Sequence, residues 1–326
     1  MTNHRLLLSG ADGFVGKTIL HMAENTFGLD QVEISSLRDA HGAELDVRDA
    51  EAVAAAIADC RPTAIIHLAA VASPRRAGKS PRLAWEVNLL GTFNIAAAIM
   101  KHAPEATLIF AGSADAYGSS FGQYSGPLGE DAALAPISVY GATKAAADIL
   151  LGQMAEAGLR AVRFRPFNHT GPGQSPHYAA SAFALQIVRI ERGWQAPEIQ
   201  VGNLEVRRDF LDVRDVASAY LEAALARRGH PGAFNLASGN PLAIGDVLRL
   251  LLSHSNATPE LRTDPTRVRT QEIEVMSGNP RRAKEVLGWA ATTPIEETLR
   301  DLLEHWRHVA DTSPDTLLHN PALSGH

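Results

Sequence analysis

The stretch Arg5-Leu-Leu-Leu-Ser-Gly10-Ala-Asp-Gly13-Phe-Val-Gly16 decides the fold. A short apolar run ends at a glycine, and a helical pattern begins within two residues of the second glycine. Gly10 permits a tight turn, Gly13 lets the backbone approach a diphosphate, and Gly16 allows close helix packing. The helix N-terminus then offers unpaired N–H groups to the anion. In a chain with 26 glycines the spacing alone is a weak signal. Its place between a first strand and a first helix supplies the specificity.

Working outward, apolar runs at Arg5–Ser9, Val32–Ser36, Ala64–Leu68, Thr107–Gly112 and Arg160–Phe164 alternate with helical patterns at Val15–Asn25, Ala50–Asp59, Leu83–His102 and Ser138–Ala157. The runs are continuous rather than alternating, as in a parallel sheet covered by helices on both faces. The fold class is therefore α/β, a doubly wound parallel sheet of the Rossmann type with a second, smaller lobe. Residues 1–166 are expected to bind the dinucleotide and carry the catalytic groups, and residues 167–310 to form mainly a substrate-binding lobe with returns to the first domain. That lobe reads as a loop at Asn168–Pro176, a helix at Ala180–Arg192, extended pieces at Ile199–Val201 and Arg208–Leu211, and helices at Asp246–Ser253 and Pro294–Val309. The aperiodic residues 311–326 are expected to be a flexible tail.

Composition narrows the function. The 326 residues are 45% apolar and 20% charged, ample for a buried core, and the net charge of -6 offers no basic field for nucleic acid or anionic membrane. The longest apolar stretches, such as Thr63–Ala72 and Thr107–Ala111, fall short of the ~18 residues that a spanning helix requires. No bilayer crossing or secretory signal is expected. Cys60 is the sole cysteine, so an intrachain disulfide is excluded and a reducing cytoplasm is the expected compartment. His305 and His308 have ligand-like spacing without a third ligand, and no metal is expected.

The tip of the second strand reads Glu33-Ile-Ser-Ser36-Leu-Arg38. An NAD site usually carries an acid here for the ribose 2'-hydroxyl. Glu33 is expected inside the strand, whereas Ser36 and Arg38 suit a 2'-phosphate, so NADP is favoured over NAD. Asp46 and Val47 fall where the adenine would lie.

Tyr140 and Lys144 are spaced i, i+4 on the helix before the fifth strand, so they share a face. Chance predicts only about 0.08 such pairs from the tyrosines and lysines present. A phenol is a poor acid or base near neutrality, and an adjacent ammonium is expected to lower its pKa. Ser113 ends the fourth strand, at the sheet edge where ligands bind, and its hydroxyl can bond a carbonyl oxygen.

These features resemble the extended short-chain dehydrogenase/reductase family over Arg5 to about Trp306. The matching pieces are the glycine motif, His67-Leu-Ala-Ala70, Asn88-Leu-Leu-Gly91-Thr92, Ser113 four residues before Tyr117-Gly118, and Tyr140-x-x-x-Lys144. The resemblance implies a catalytic Ser113, Tyr140 and Lys144, with Lys144 on the nicotinamide ribose and Leu68, Ala69 and Ala70 along the cofactor. It adds Asp12, Phe14, Val15, Pro166 and His169 to the cofactor set.

Within the family, Arg165-Pro-Phe-Asn168-His169-Thr-Gly-Pro-Gly173-Gln174 and Val201-Gly-Asn-Leu204-Glu-Val-Arg-Arg208-Asp-Phe210 are similar to enzymes of GDP-sugars, most of all GDP-6-deoxy-4-keto-hexose reductases. Arg269-Thr-Gln-Glu272 departs from their usual Arg-Pro-Ser-Glu. The likeness implies substrate contacts from Asn168, Val201, Asn203, Arg208, Arg269 and Glu272; Arg208 and Arg269 are suited to clamp a diphosphate.

The implied reaction is NADPH-dependent reduction of a C4 ketone. Asp115 keeps a GDP-mannose 4,6-dehydratase alternative open, because related dehydratases carry a glutamate base two residues before the tyrosine matching Tyr117. Ala114 lacks the acid of the dTDP-glucose type. A 4-epimerase, which usually holds NAD, and a non-catalytic NADP-binding sensor remain open as well. Family members commonly pair into homodimers through the helix carrying Tyr140 and the one before it.

Overall fold

The computed structural model describes residues 4–26, 32–38, 42–226, 230–267 and 272–318. Its first half runs β1 (His4–Ser9), α1 (Phe14–Thr26), β2 (Val32–Ser36), α2 (Ala50–Cys60), β3 (Ala64–His67), α3 (Pro74–Lys79), α4 (Pro81–Trp85), α5 (Thr92–His102), β4 (Thr107–Ala111), α6 (Val139–Glu156) and β5 (Arg160–Pro166). There follow β6 (Asn168–Thr170), α7 (Ala179–Glu191), β7 (Glu198–Val201), β8 (Arg207–Asp212), α8 (Val213–Leu225), β9 (Gly232–Leu236), β10 (Pro241–Ala243), α9 (Ile244–Ser253), β11 (Glu260–Thr263), β12 (Val275–Met276), α10 (Ile295–Thr312) and α11 (Pro314–Leu318).

Successive side chains of a strand point to opposite faces. Leu6, Leu8, Ile66 and Ile109 enter one apolar layer with α1 and α8, while Leu7, Ile65 and Leu108 enter the other with α2, α5 and α6. Each such side chain contributes roughly 1.5–3 kcal/mol of burial. The resulting parallel sheet has the order β2-β1-β3-β4-β5-β9. Its winding reverses between β1 and β3, opening a crevice at their carboxyl ends.

The smaller lobe is centred on β8, flanked by antiparallel β10 and by parallel β12 and β6. Parallel β7 and β11 form a separate pair. Phe183, Ile187, Val247, Leu251, Leu302 and Trp306 from α7, α9 and α10 fill its core.

Two expectations are corrected. The start of the expected loop at Asn168 is strand β6, fixed by its pairing with β8. The expected tail is instead the end of α10 to Thr312 followed by α11 to Leu318: Leu317 is buried, and its carbonyl accepts from the Arg189 guanidinium. That burial offsets the entropy of ordering the segment; residues 319–326 lie outside the described residues. The helix expected at Leu83–His102 is present: α4 and α5 join through a π-helical turn at Glu86–Gly91 into one helix, Pro81–His102. Its 22 residues are long and apolar enough to cross a membrane by length and composition, which counting apolar stretches missed. Here Ile95, Ala96 and Ile99 of that helix pack into the core under the sheet.

Candidate active site

Ser138 caps α6, its Oγ accepting the Gly141 N–H at 3.0 Å. The cap fixes the start of the helix, placing Tyr140 in the first turn and Lys144 one turn later on the same face. Ser113 follows β4 through Gly112, whose N–H bonds the Phe164 carbonyl at 2.8 Å. Ser113 caps the Ala114–Ala116 turn by accepting the Asp115 N–H at 3.1 Å, and its side chain favours the ionised form of the Tyr140 phenol. The helix can press this close because residue 141 is glycine: a Cβ there would lie 2.5 Å from the Asp115 carbonyl oxygen.

Lys144 is buried, donates from Nζ to the Ala111 carbonyl at 2.7 Å, and lies 5.0 Å from the centre of the Phe110 ring. Burial pushes its ammonium down to about 8. Tyr140 is pushed above its ordinary value, first by burial and then by the Asp115 carboxylate, with the Ser113 side chain opposing. This corrects the expectation that Lys144 lowers the phenol: desolvation disfavours phenolate, and the ammonium is committed to the Ala111 carbonyl.

Asp115 also raises Tyr178, the residue before α7, as the second cause after burial. One carboxylate thus acts on a phenol from each lobe. Tyr178 was missed from sequence, where an aromatic next to an apolar helix reads as lobe core.

A buried chain supports this centre. Ser9 Oγ lies 2.7 Å from His67 Nδ1, and His67 Nε2 lies 3.0 Å from Thr92 Oγ1. The Thr92 hydroxyl donates to the Asn88 carbonyl at 2.7 Å, so its oxygen accepts from Nε2–H and Ser9 donates to Nδ1. Burial, then Lys144, pushes the imidazole down to about 3, which keeps it neutral. Asn88 accepts the Val71 N–H at 2.7 Å and donates to Thr143 at 2.9 Å, tying the π-helical turn to α6.

At the cofactor end, Gly10 has φ +74, and a Cβ there would lie 2.6 Å from the Ala69 nitrogen. A Cβ on Gly16 would lie 2.4 Å from the Gly10 carbonyl oxygen, whereas one on Gly13 would meet only that oxygen at 3.2 Å. Gly10 and Gly16 are closed by the protein itself, and Gly13 keeps an open approach for an anion. Leu68 and Ala69 face this turn, donating to the Ser9 carbonyl at 3.1 Å and the Ser9 hydroxyl at 3.3 Å, with Ala70 next in the chain. The Phe14 ring, beside Val15 at the head of α1, stacks on His169 at 6.2 Å, which brings the strand after Pro166 to the glycine turn.

Ser36 ends β2, while Glu33 sits inside it opposite Arg5, away from the tip. Arg38 bridges the crevice mouth, reaching Asp12 at 3.1 Å and the Gly42 carbonyl at 3.0 Å. Asp46 is held below the usual carboxylate range chiefly by hydrogen bonds from the Arg48 side chain, and Val47 packs where a Cβ on Gly91 would lie. An open anion approach at a helix N-terminus with a cation at the second strand's tip fits NADP.

At the substrate end, Arg208 donates to the Arg207 and Ile273 carbonyls at 2.8 Å each and lies 3.8 Å from Glu272. Asn203 donates to the other Glu272 oxygen at 3.2 Å, so Asn203, Arg208 and Glu272 form one cluster. Asn168 is exposed and registers with Phe210, two residues along the neighbouring strand from Arg208. Val201 is buried in the smaller lobe's apolar core, at the end of β7. Arg269 lies outside the described residues.

The family model for GDP-mannose 4,6 dehydratase matches residues 5–302. GDP-6-deoxy-D-mannose reductase from Pseudomonas aeruginosa is 33% identical over 314 residues, covering 93% of this chain and 97% of that protein. UDP-glucose 4-epimerase from Mycolicibacterium smegmatis is 26% identical over 318 residues, covering 93% and 99%. Among solved structures, RMD from Pseudomonas aeruginosa complexed with NADPH superposes with a TM-score of 0.83 at 29% identity, covering 94% of this chain and 99% of that one. UDP-glucose 4-epimerase from Thermotoga maritima with UDP-glucose gives 0.81 at 25% identity, with 94% and 99% covered.

Proposed function

The chain belongs to the GDP-mannose 4,6 dehydratase family of extended short-chain dehydrogenase/reductases, and from that premise we propose that it reduces the C4 ketone of GDP-4-keto-6-deoxymannose with NADPH, giving a product of the GDP-rhamnose type. The carrying observation is the placement of Tyr140 and Lys144 one turn apart on α6, with Gly141 of that helix packed against the Asp115 carbonyl of the Ser113 turn; the phenol, pushed above its ordinary pKa, keeps its proton. Ketone reduction asks for an acid, whereas a sequence that begins by oxidising the sugar asks for a base.

NADPH, when bound, supplies the hydride. Ser113 donates a hydrogen bond to the ketone oxygen, and Tyr140 gives that oxygen its proton. Lys144, fixed by the Ala111 carbonyl and one turn along α6 from Tyr140, serves to hold ribose hydroxyls. The cofactor residues are Gly10, Asp12, Gly13, Phe14, Val15, Gly16, Ser36, Arg38, Asp46, Val47, Leu68, Ala69, Ala70, Pro166 and His169. Asn168, Asn203, Arg208, Arg269 and Glu272 serve the nucleotide sugar from a lobe spanning residues 167–310. The reductase named among the relatives supports this reading.

One observation favours a second reading. Asp115 acts electrostatically on Tyr140, and as a base it would suit 4,6-dehydration of GDP-mannose. A homodimer is proposed through Leu90, Phe93 and Met100, exposed at helical spacing, and Ile149 on neighbouring α6. A cytoplasmic location accords with the single cysteine and with NADPH as reductant.

The test is incubation with GDP-mannose alone and, separately, with its 4-keto-6-deoxy product plus NADPH. NADPH consumption only with the keto-sugar supports the reductase. Keto-sugar formed from GDP-mannose without net cofactor oxidation overturns it in favour of the dehydratase.

A further inference from the structure

Beneath the catalytic centre lies a buried ionic cluster that the proposed chemistry does not use. Asp148 sits on α6 one turn beyond Lys144 and two beyond Tyr140, and is 1% exposed. Arg165 on β5 is 5% exposed and meets it as a fork, Nε to one carboxylate oxygen at 2.8 Å and a terminal nitrogen to the other at 3.1 Å. Arg163 adds a third bond to Asp148 at 2.7 Å. The remaining terminal nitrogen of Arg165 donates to the Tyr117 hydroxyl at 3.0 Å and to the Glu130 carbonyl at 2.9 Å. Tyr117 in turn donates to Asn235 at 2.7 Å, and its ring lies under the guanidinium at 5.2 Å.

One planar side chain thus grips both pieces that bear the reacting groups. Asp148 belongs to the helix of Tyr140 and Lys144, and Tyr117 closes the turn that begins at Ser113. The same two pieces touch again at Gly141, where only the missing Cβ lets the helix meet the Asp115 carbonyl. Tyr140 lies beside that contact, and Lys144 lies between it and Asp148. Burying two charges is costly and gives weak evidence of net stabilisation, but a bidentate pair fixes direction as well as distance.

We propose that Arg165 and Asp148 are positioning residues, a clamp that sets the register of the Tyr140–Lys144 helix against the Ser113 turn. The inference rests on Tyr140 acting as the acid. An error of about 1 Å at a reacting group can cost on the order of 100-fold in rate, so the clamp acts on turnover more than on cofactor binding.

The test uses Arg165→Lys, which keeps the charge and loses the fork, Tyr117→Phe, which removes one hydroxyl, and the triple variant Arg163→Met, Arg165→Met and Asp148→Leu. Turnover is expressed per NADPH-binding site, so that misfolded protein does not count. Arg165→Lys is expected to lower kcat at least about 10-fold with KM for NADPH changed less than about 2-fold. Tyr117→Phe should fall in the same direction by a smaller factor. The triple variant, with Asp148 and both of its arginine partners replaced, should regain a Tm near that of the wild type while kcat stays low, a split that a purely structural role would not produce. Wild-type kcat per binding site in Arg165→Lys and Tyr117→Phe overturns the clamp. A Tyr140→Phe control separates the two failures: if that variant remains active, the assigned acid is wrong, whatever the clamp does.

Discussion

Replacing Arg38 with Ala should cost NADPH binding and spare NADH. The guanidinium stands at the tip of β2, anchored to the Gly42 carbonyl and paired with Asp12. A charge-assisted bond to a phosphate is worth about 1.5–3 kcal/mol. The Arg38 side chain is 39% exposed, so solvent screening trims that range. The free protein also gives up an exposed pair with Asp12, worth about 0–1 kcal/mol, to reach the ligand. The net loss is about 1–2 kcal/mol, or roughly 5- to 30-fold in Kd for NADPH, with NADH within about twofold. Nucleotide fluorescence titration at two salt concentrations reads both numbers, and the NADPH penalty should shrink at high salt as the Debye length falls below about 10 Å. An equal loss for both cofactors, or an unchanged preference, refutes the 2'-phosphate assignment.

Other outcomes follow from the same geometry. Gly16→Ala places a methyl 2.4 Å from the Gly10 carbonyl; overpacking of this kind costs about 1–3 kcal/mol, so calorimetry should show a lower Tm together with weaker NADPH binding. Lys144 titrates at about 8 in the folded chain against an ordinary 10.5. Between those values the unfolded chain holds the extra proton, so this group's contribution to stability rises with pH across that window. The Tm of wild type relative to Lys144→Met should climb from pH 8 to 10.5, and a flat difference contradicts the buried ammonium. Because the Tyr140 pKa is raised, the phenol keeps its proton from neutral pH to its ordinary value of 10 and reductase kcat should show no rise over that range; a rise through pH 7 to 9 would point to a base instead. Phe93→Glu should convert a dimer to a monomer in analytical ultracentrifugation, and an unchanged mass sinks the proposed interface.

Local patterns made much of this legible. Leu6 to Ser9 and the three glycines specify a strand, a turn and a helix without reference to the rest of the chain, and Tyr140 with Lys144 are placed by helical spacing alone. Elements made by distant pairing were not legible. The three residues of β6 are a strand only because β8 lies alongside, and α11 is held where Leu317 reaches the core. The direction of the Tyr140 pKa shift was likewise hidden, since spacing puts an ammonium nearby but does not reveal how deeply both groups are buried. Asp148 reads from sequence as one more solvated helix carboxylate. Only the fold brings two arginines from β5 under it.

The proposed chemistry turns on Tyr140 as the proton donor, and Tyr140→Phe tests it most directly. Stopped-flow turnover with the keto-sugar should fall at least about 100-fold, while NADPH titrates the variant with nearly unchanged Kd. Wild-type turnover in that variant would contradict the assignment of the phenol as the acid.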